Sequence, residues 1–185
     1  MPHHVCPWWV GYLLASPLRR YSQDPAAILA PYIRDGMTVI EPGPGMGFFT
    51  IELAQRVGAS GRVIAVDIQP KMLASLRRRL TKRGLESRVD IRVVKPDSME
   101  LTDLAGSVDF ALLFAMVHEL PSAAPFFAEV AAALKPGGSA LLAEPKGHVK
   151  LPDFEPELEA AASAGLSVVS RPLIPRSHAA LLTKS

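Results

Sequence analysis

Residues 38–47 read TVIEPGPGMG, and this stretch decides the fold. A short β-branched run ends in the acidic Glu41, and three glycines then alternate with other residues before an apolar segment. Glycines allow positive φ angles and let a ligand come close to the backbone. The helix expected after them offers unpaired N–H groups and the positive end of its dipole. The stretch therefore predicts a strand, a tight turn and a helix N-terminus that suit a carboxylate or phosphate.

The composition indicates one well-buried globular domain. The chain has 185 residues, 49% of them hydrophobic, and a formal net charge of only +2, which gives no strong attraction to nucleic acid. Its single cysteine excludes an internal disulfide and a multi-cysteine metal site, and it is consistent with a reducing cytoplasm. Residues 5–18 are apolar, but the arginines follow them and the run is short, so neither a signal peptide nor a membrane span is expected.

Apolar runs and turn residues alternate along the chain. Strands are expected where β-branched and aliphatic residues run together, over 38–41, 62–67, 89–94, 108–114, 139–143, 166–169 and 178–183. Helices are expected between them, over 25–33, 49–57, 70–83, 121–134 and 154–164. This alternation predicts a parallel sheet with right-handed crossovers. No helix separates the last two strands, so they are expected to pair antiparallel.

The spacing of the glycines separates two families. Phe48 stands where a dinucleotide-binding fingerprint has its third glycine. The turn instead resembles that of the class I S-adenosylmethionine-dependent methyltransferases, whose motif is an acidic residue followed by x-G-x-G-x-G. The run LKPGG at 134–138 is similar to the turn before the fifth strand of that family, and we expect it to stop a helix. The resemblance spans about residues 36–185.

The resemblance implies a Rossmann-like, doubly wound α/β fold with seven mostly parallel strands and one antiparallel strand near the C-terminal edge. It also implies S-adenosyl-L-methionine as the cofactor and S-adenosyl-L-homocysteine as the product.

The same resemblance places the cofactor at the ends of the strands. Glu41 would lie near the methionine amino group, where a carboxylate complements the positive charges of the cofactor. Asp67 would accept two hydrogen bonds from the ribose diol, with a helix N-cap as the alternative. Asp97 would accept from the adenine amino group, although Pro96 stands where the family usually has glycine, and an ordinary turn residue is the alternative. The other residues assigned to the cofactor are Gly43, Gly45, Gly47, Ile68, Ser98 and Phe114.

Residues 114–120 follow the fourth strand, where the family places side chains against the methyl donor and acceptor. The sequence there lacks the Asn/Asp-Pro-Pro-aromatic turn of enzymes that methylate base amino groups, so a small-molecule acceptor is expected. Methyl transfer by in-line displacement needs a general base only if the nucleophile carries a proton of high pKa. Candidates are His118, Glu119, Glu144 and Lys146. His118 has the best intrinsic pKa, with a capping or core role as its alternative, and Glu144 with Lys146 could instead form an ion pair.

Residues 1–24 form a separate aromatic segment, and the methyltransferase domain is expected over 25–185. The segment could pack its rings on the core, cover the ligand as a lid, or contact a membrane surface or partner. As a lid it would line the substrate pocket with Trp8, Trp9, Tyr12 and Tyr21. Cys6 stands near His3 and His4, but one thiol is few for a metal, so a packing role is favoured and no metal is expected.

Basic residues cluster on the helix expected over 70–83, at Arg77, Arg78, Arg79, Lys82 and Arg83. A solvated helix face is the expected reading, with contact to RNA as the alternative.

The sequence as a whole predicts a cytoplasmic S-adenosylmethionine-dependent methyltransferase acting on a small molecule. Two rival functions are a nucleotide-dependent oxidoreductase and a non-catalytic, cofactor-binding partner subunit. The oligomeric state is not indicated by the sequence.

Overall fold

The computed structural model describes residues 23–185. The predicted aromatic lid, with Trp8, Trp9, Tyr12 and Tyr21, and the group around Cys6 lie outside the described residues. Across residues 23–185, no helix combines the length and the apolar character needed to cross a bilayer.

Strands and helices alternate as expected. The strands are β1 (Thr38–Pro42), β2 (Arg62–Asp67), β3 (Val89–Val93), β4 (Val108–Phe114), β5 (Leu134–Pro145), β6 (Leu166–Ser170) and β7 (Ser177–Lys184). The helices are α1 (Pro25–Leu29), α2 (Thr50–Arg56), α3 (Pro70–Thr81), α4 (Ala123–Ala133) and α5 (Leu151–Ser163). The seven strands form one sheet in the order β3-β2-β1-β4-β5-β7-β6. The predicted Rossmann-like α/β fold is confirmed.

Two compact units make up the chain, and they divide after Pro96. In the first unit, β1 and β3 both pair parallel with β2, so that Glu41 lies opposite Ala65 and Asp67 lies opposite Val93. The central strand β2 is buried from Val63 onward, because helices pack on the sheet and leave no wet face. This register brings the carboxyl ends of the first two strands to one edge.

Helix α1 is shorter than predicted. Asp24 accepts a hydrogen bond from the N–H of Ala26 at 3.1 Å, and Pro25 opens the helix, as the sequence indicated. The helix ends at Leu29, however, and not near Ile33. Pro31 has no N–H to donate to the preceding turn, so the regular hydrogen-bond ladder stops there.

In the second unit, β4 pairs parallel with β5, and β7 pairs antiparallel with both β5 and β6. The predicted antiparallel strand near the C-terminal edge is therefore confirmed as β7. Pro145 lies opposite Ser177, so the start of β7 lies beside the carboxyl end of β5.

The helix stop predicted at residues 134–138 is confirmed, because α4 ends at Ala133, but the turn expected before strand five lies within that strand. Strand β5 already begins at Leu134, which pairs with Val108, and the pairing resumes with Ser139 opposite Phe110. Between these two pairs the chain moves on by two residues in β4, from 108 to 110, but by five in β5, from 134 to 139. The extra residues of β5 come from the LKPGG run, which therefore forms a bulge. Proline, which cannot donate, and glycine with positive φ are the residues that such a bulge accepts.

Candidate active site

The glycine turn after β1 has the conformation that its sequence requires. Gly43, Gly45 and Gly47 all have positive φ, at 66°, 54° and 85°. The N–H of Gly43 donates to the carbonyl of Val66 at 2.9 Å, and that of Gly47 donates to the carbonyl of Pro44 at 2.9 Å. Side chains at these positions would be strained in the left-handed region. The turn is thus closed on itself and joined to β2.

Two of these glycines face different surroundings. A Cβ on Gly47 would lie 2.4 Å from Cδ1 of Leu76, so the Leu76 side chain would have to move if Gly47 carried a side chain. A Cβ on Gly45 would meet no atom of residues 23–185 within 4 Å. Open space therefore borders the backbone at Gly45, where a ligand could lie.

Glu41 is a buried carboxyl group near the end of β1. Its side chain is only 4% exposed, and its Oε2 atom has no hydrogen-bond partner within residues 23–185. Burial raises the pKa of Glu41 to about 7, and the negative charge of Asp67 adds to this rise. The hydroxyl of Thr50 opposes the rise, although it makes no hydrogen bond of ordinary geometry within the described part of the chain. A buried oxygen of this kind suits a ligand with a cationic donor.

Asp67 ends β2 and is also buried. Its Oδ1 accepts a hydrogen bond from the N–H of Gln69 at 2.8 Å, which fixes the carboxylate in a local turn. The N-cap of α3 is Gln69 and not Asp67, so the alternative reading of Asp67 as the helix cap was wrong. Ile68, between them, is half-buried. The role of Asp67 toward a ribose diol stays a prediction.

The predicted adenine residues lie in the second unit. Asp97 is exposed in a turn, and the hydroxyl of Ser98 accepts from the N–H of Glu100 at 3.0 Å. Glu129 on α4 accepts from the N–H of Met99 at 3.0 Å and anchors the segment. Phe114, at the end of β4, is 8% exposed. These positions fit a loop held in place by a neighbouring helix, and their contact with adenine stays a prediction.

The second unit brings His118 and Glu144 together, although 26 residues separate them. Oε1 of Glu144, a fully buried residue, accepts from the N–H groups of Met116 at 3.2 Å and Val117 at 2.8 Å. Its Oε2 forms a hydrogen bond with Nδ1 of His118. Burial alone would lower the pKa of His118, but the hydrogen bond and charge of Glu144 outweigh burial and raise it. The sequence predicted both residues as separate candidate bases, and in the structure they form one pair.

Glu157 on α5 is a functional candidate that the sequence did not suggest. Its Oε2 is buried and has no partner within residues 23–185. Burial and the charge of Glu144 raise the pKa of Glu157 to about 8, against an opposing effect of His118. Its position in the sequence could have indicated that it is partly buried, because it lies on the apolar stripe of α5, three residues after the buried Phe154 and one before Leu158.

Lys146 is not the ion-pair partner of Glu144, because Glu144 is bonded to His118 and two backbone N–H groups. Lys146 instead lines an open cavity of about 190 Å³ between α5 and the loop that joins β6 to β7. The alternative of a Glu144–Lys146 pair was therefore wrong. Among residues 23–185, no three His, Cys, Asp or Glu side chains converge as metal ligands.

The chemistry of the first unit fits S-adenosylmethionine. This molecule carries an ammonium and a sulfonium, whose positive charges match the buried Oε2 of Glu41, an atom without a hydrogen-bond partner in the described part of the chain. Its ribose diol matches a carboxylate held at a strand end, as Asp67 is. The open space beside Gly45 leaves room for close approach to the backbone.

Known proteins resemble this chain in sequence. Residues 39–138 match the family model described as a methyltransferase domain. An arsenite methyltransferase of Halobacterium salinarum is 30% identical over 146 residues, which cover 77% of this chain and 36% of that protein. A ubiquinone/menaquinone biosynthesis C-methyltransferase of Hydrogenovibrio crunogenus is 30% identical over 112 residues, covering 60% of this chain and 43% of that protein. Further relatives are named for tRNA and for ribosomal protein L11.

The fold has close counterparts among solved structures. A SAM-dependent methyltransferase from Aquifex aeolicus superposes with a TM-score of 0.86 at 23% identity, over 98% of this chain and 100% of that one. This likeness shows the fold. The chain spans only about two fifths of the length of the two curated relatives above.

Proposed function

The chain belongs to the methyltransferase-domain family of S-adenosylmethionine-dependent proteins, and from this premise we propose that it transfers a methyl group to a small-molecule acceptor. The observation that carries the proposal is the pair of His118 and Glu144 after β4 and within β5. Ligands of open parallel sheets bind at the carboxyl ends of the strands. The pair would therefore supply a base at the strand ends, where an acceptor is expected.

The cofactor would be held by the residues that the glycine turn and the strand ends present. Glu41 would receive its ammonium, Asp67 its ribose hydroxyls, and the backbone around Gly45 would border it. Asp97 with its neighbour Ser98 would contact the adenine. Ile68, which is half-buried, and Phe114, which is 8% exposed, would make apolar contacts with the cofactor. When bound, S-adenosylmethionine supplies a methyl group on a sulfonium, which is a good leaving group.

His118 would accept the proton of the acceptor. Because Nδ1 of His118 is bonded to the Glu144 carboxylate, Nε2 is the ring nitrogen that takes the proton. Glu144 cannot serve as the base itself, since both of its oxygens are already engaged by donors. It acts as a positioning residue, which fixes the ring and stabilises the imidazolium that forms.

A small acceptor is favoured by the sequence after β4 and by two of the relatives. Residues 114–120 lack the turn of base amino methyltransferases. Two of the relatives, which cover 77% and 60% of this chain, are named for arsenite and for ubiquinone/menaquinone biosynthesis, and these are small molecules. We also place the protein in the cytoplasm, on the ground of its single cysteine.

Calorimetric titration tests the cofactor. We expect S-adenosylmethionine and S-adenosylhomocysteine to bind, NAD not to bind, and Asp67→Ala to lose about tenfold or more in affinity for both sulfur nucleotides. Asp90→Ala serves as the matched control, because Asp90 is exposed on β3 and pairs only locally with Arg92. Binding of NAD alone would favour the oxidoreductase.

Turnover tests the acceptor. Formation of S-adenosylhomocysteine is measured with arsenite, a reduced naphthoquinone, bulk tRNA and ribosomal protein L11 as four separate acceptors. A signal with either small molecule supports a small acceptor. With the reduced naphthoquinone, which loses a proton, a loss of about a hundredfold in His118→Asn at unchanged cofactor affinity supports the base. A signal with tRNA or protein alone refutes the small acceptor. Tight cofactor binding with no turnover on any acceptor would favour the non-catalytic subunit.

A further inference from the structure

Arg79 on α3 reaches the glycine turn. Its Nη1 donates a hydrogen bond to the carbonyl of Met46 at 2.6 Å, across 33 residues of sequence. Met46 stands between Gly45 and Gly47, and its own side chain is 4% exposed. The hydrogen bond is partly buried and involves a charged donor, which makes it stronger than one between neutral groups.

The neighbouring basic residues do not share this contact. Arg77 and Arg78 are exposed, while Arg79 is half-buried. Arg77 lies 3.8 Å from Glu86, and Arg78 donates to Ser75 within its own helix. The predicted solvated face therefore holds for Arg77 and Arg78 but was wrong for Arg79.

Helix α3 supports the turn at two adjacent points. Leu76, which is fully buried, packs where a Cβ of Gly47 would lie, and Arg79 follows it by three residues. Residues three apart lie on the same face of a helix. The packing contact sets how closely the turn approaches α3, and the guanidinium sets which way the Met46 carbonyl points.

The turn needs such a support because its glycines are permissive. Rotation of the peptide group between Met46 and Gly47 changes ψ of Met46 and φ of Gly47, and Gly47 accepts either sign of φ, so the rotation has a low cost. Rotation would turn the N–H of Gly47 away from the carbonyl of Pro44, to which it donates at 2.9 Å. A carbonyl held by Arg79 resists this rotation.

We propose that Arg79 is a positioning residue for cofactor binding, which keeps the Met46–Gly47 peptide in its binding orientation without touching the cofactor. The inference rests on the proposed function, because the glycine turn is taken as part of the cofactor site. It assigns one member of the basic cluster to the cofactor and leaves its neighbours at the surface.

Affinity for S-adenosylhomocysteine, measured by calorimetry, tests the inference in three variants. We expect Arg79→Gln to weaken binding about tenfold, since one charged hydrogen bond is lost. Arg79→Lys keeps the charge but has no planar fork, so it should recover part of the affinity. Arg77→Gln makes the same charge change on the same helix without reaching the turn, and it should bind like the wild type.

Amide hydrogen exchange separates positioning from general stability. We expect the Gly47 N–H to exchange faster in Arg79→Gln than in the wild type, at a temperature well below the melting point of both. Amides in β2 should be unchanged, and Arg77→Gln should not alter Gly47 at all.

Each outcome decides the matter. Equal affinities of the wild type and Arg79→Gln overturn the inference, and so does an equal loss in Arg77→Gln, which would indicate a net-charge effect. If Arg79→Gln does not fold, Arg79→Lys decides. Wild-type affinity in Arg79→Lys would show that the guanidinium is not needed and would overturn the inference, whereas a partial loss of affinity would support the inference. A wild type that binds no S-adenosylhomocysteine refutes the proposed function itself, and the inference falls with it.

Discussion

In the ligand-free protein, Glu41→Gln should remove a loss of folding stability that grows as the pH rises. The carboxyl group is 4% exposed, and its Oε2 has no partner within residues 23–185. Burial raises its pKa from 4.5 to about 7. When the pKa of a carboxyl group is higher in the folded state than in the unfolded state, the free energy of unfolding falls as the pH rises between the two pKa values.

The sign and size of the effect follow from this shift. Well below pH 4.5 the carboxyl group is protonated in both the folded and the unfolded state, and its contribution to the free energy of unfolding is fully present. As pH rises toward about 7, the unfolded chain ionises first, so the free energy of unfolding falls. Between pH 5 and pH 8 the loss is about 2.5 kcal/mol, at 1.36 kcal/mol for each unit of pKa difference.

Urea unfolding of the ligand-free protein at pH 5, 6, 7 and 8 measures this. The wild type should lose about 2.5 kcal/mol more than Glu41→Gln across the range, while Glu159→Gln, at an exposed position, should follow the wild type. Only the pH dependence is compared, because the glutamine amide has its own constant cost of burial. Parallel curves for the wild type and Glu41→Gln would show that the carboxyl is solvated or paired, and would refute the reasoning.

The same group links the cofactor to pH. The positive charges of S-adenosylmethionine favour the ionised carboxylate, so its binding should release a proton below pH 7 and tighten as pH rises. Calorimetry in two buffers of different ionisation enthalpy counts that proton. Glu41→Gln should bind more weakly and release none from this position.

Three further outcomes are expected. Gly45→Ala should cost about 1 kcal/mol of stability for its left-handed backbone, whereas Gly47→Ala should cost about 3 kcal/mol because its Cβ also meets Leu76, as measured by urea unfolding. Phe154→Ala, at a site 1% exposed, should cost about 4 kcal/mol in the same assay. Turnover should rise with pH through a pKa above 6.5, because only neutral His118 accepts a proton and its pKa is raised; a flat kcat profile would remove His118 from the mechanism.

Much of the fold follows from local pattern. The alternation of apolar runs with helical periods predicted all seven strands, and β2 and β4 have the predicted bounds. The pattern failed where a tertiary contact decided the boundary. The LKPGG run reads as a turn by composition, but pairing with β4 on both sides draws it into β5 as a bulge.

The sequence by itself determined the glycine turn and the carboxylates that close β1 and β2, because strand, turn and acidic residue are contiguous and depend on local φ and ψ preferences. Only the tertiary structure decided which distant side chains meet. Glu144 meets His118 because parallel pairing of β4 and β5 brings their carboxyl ends together, and Arg79 meets Met46 because α3 packs over the turn. Such contacts depend on sheet register and helix packing, which join residues far apart in the chain.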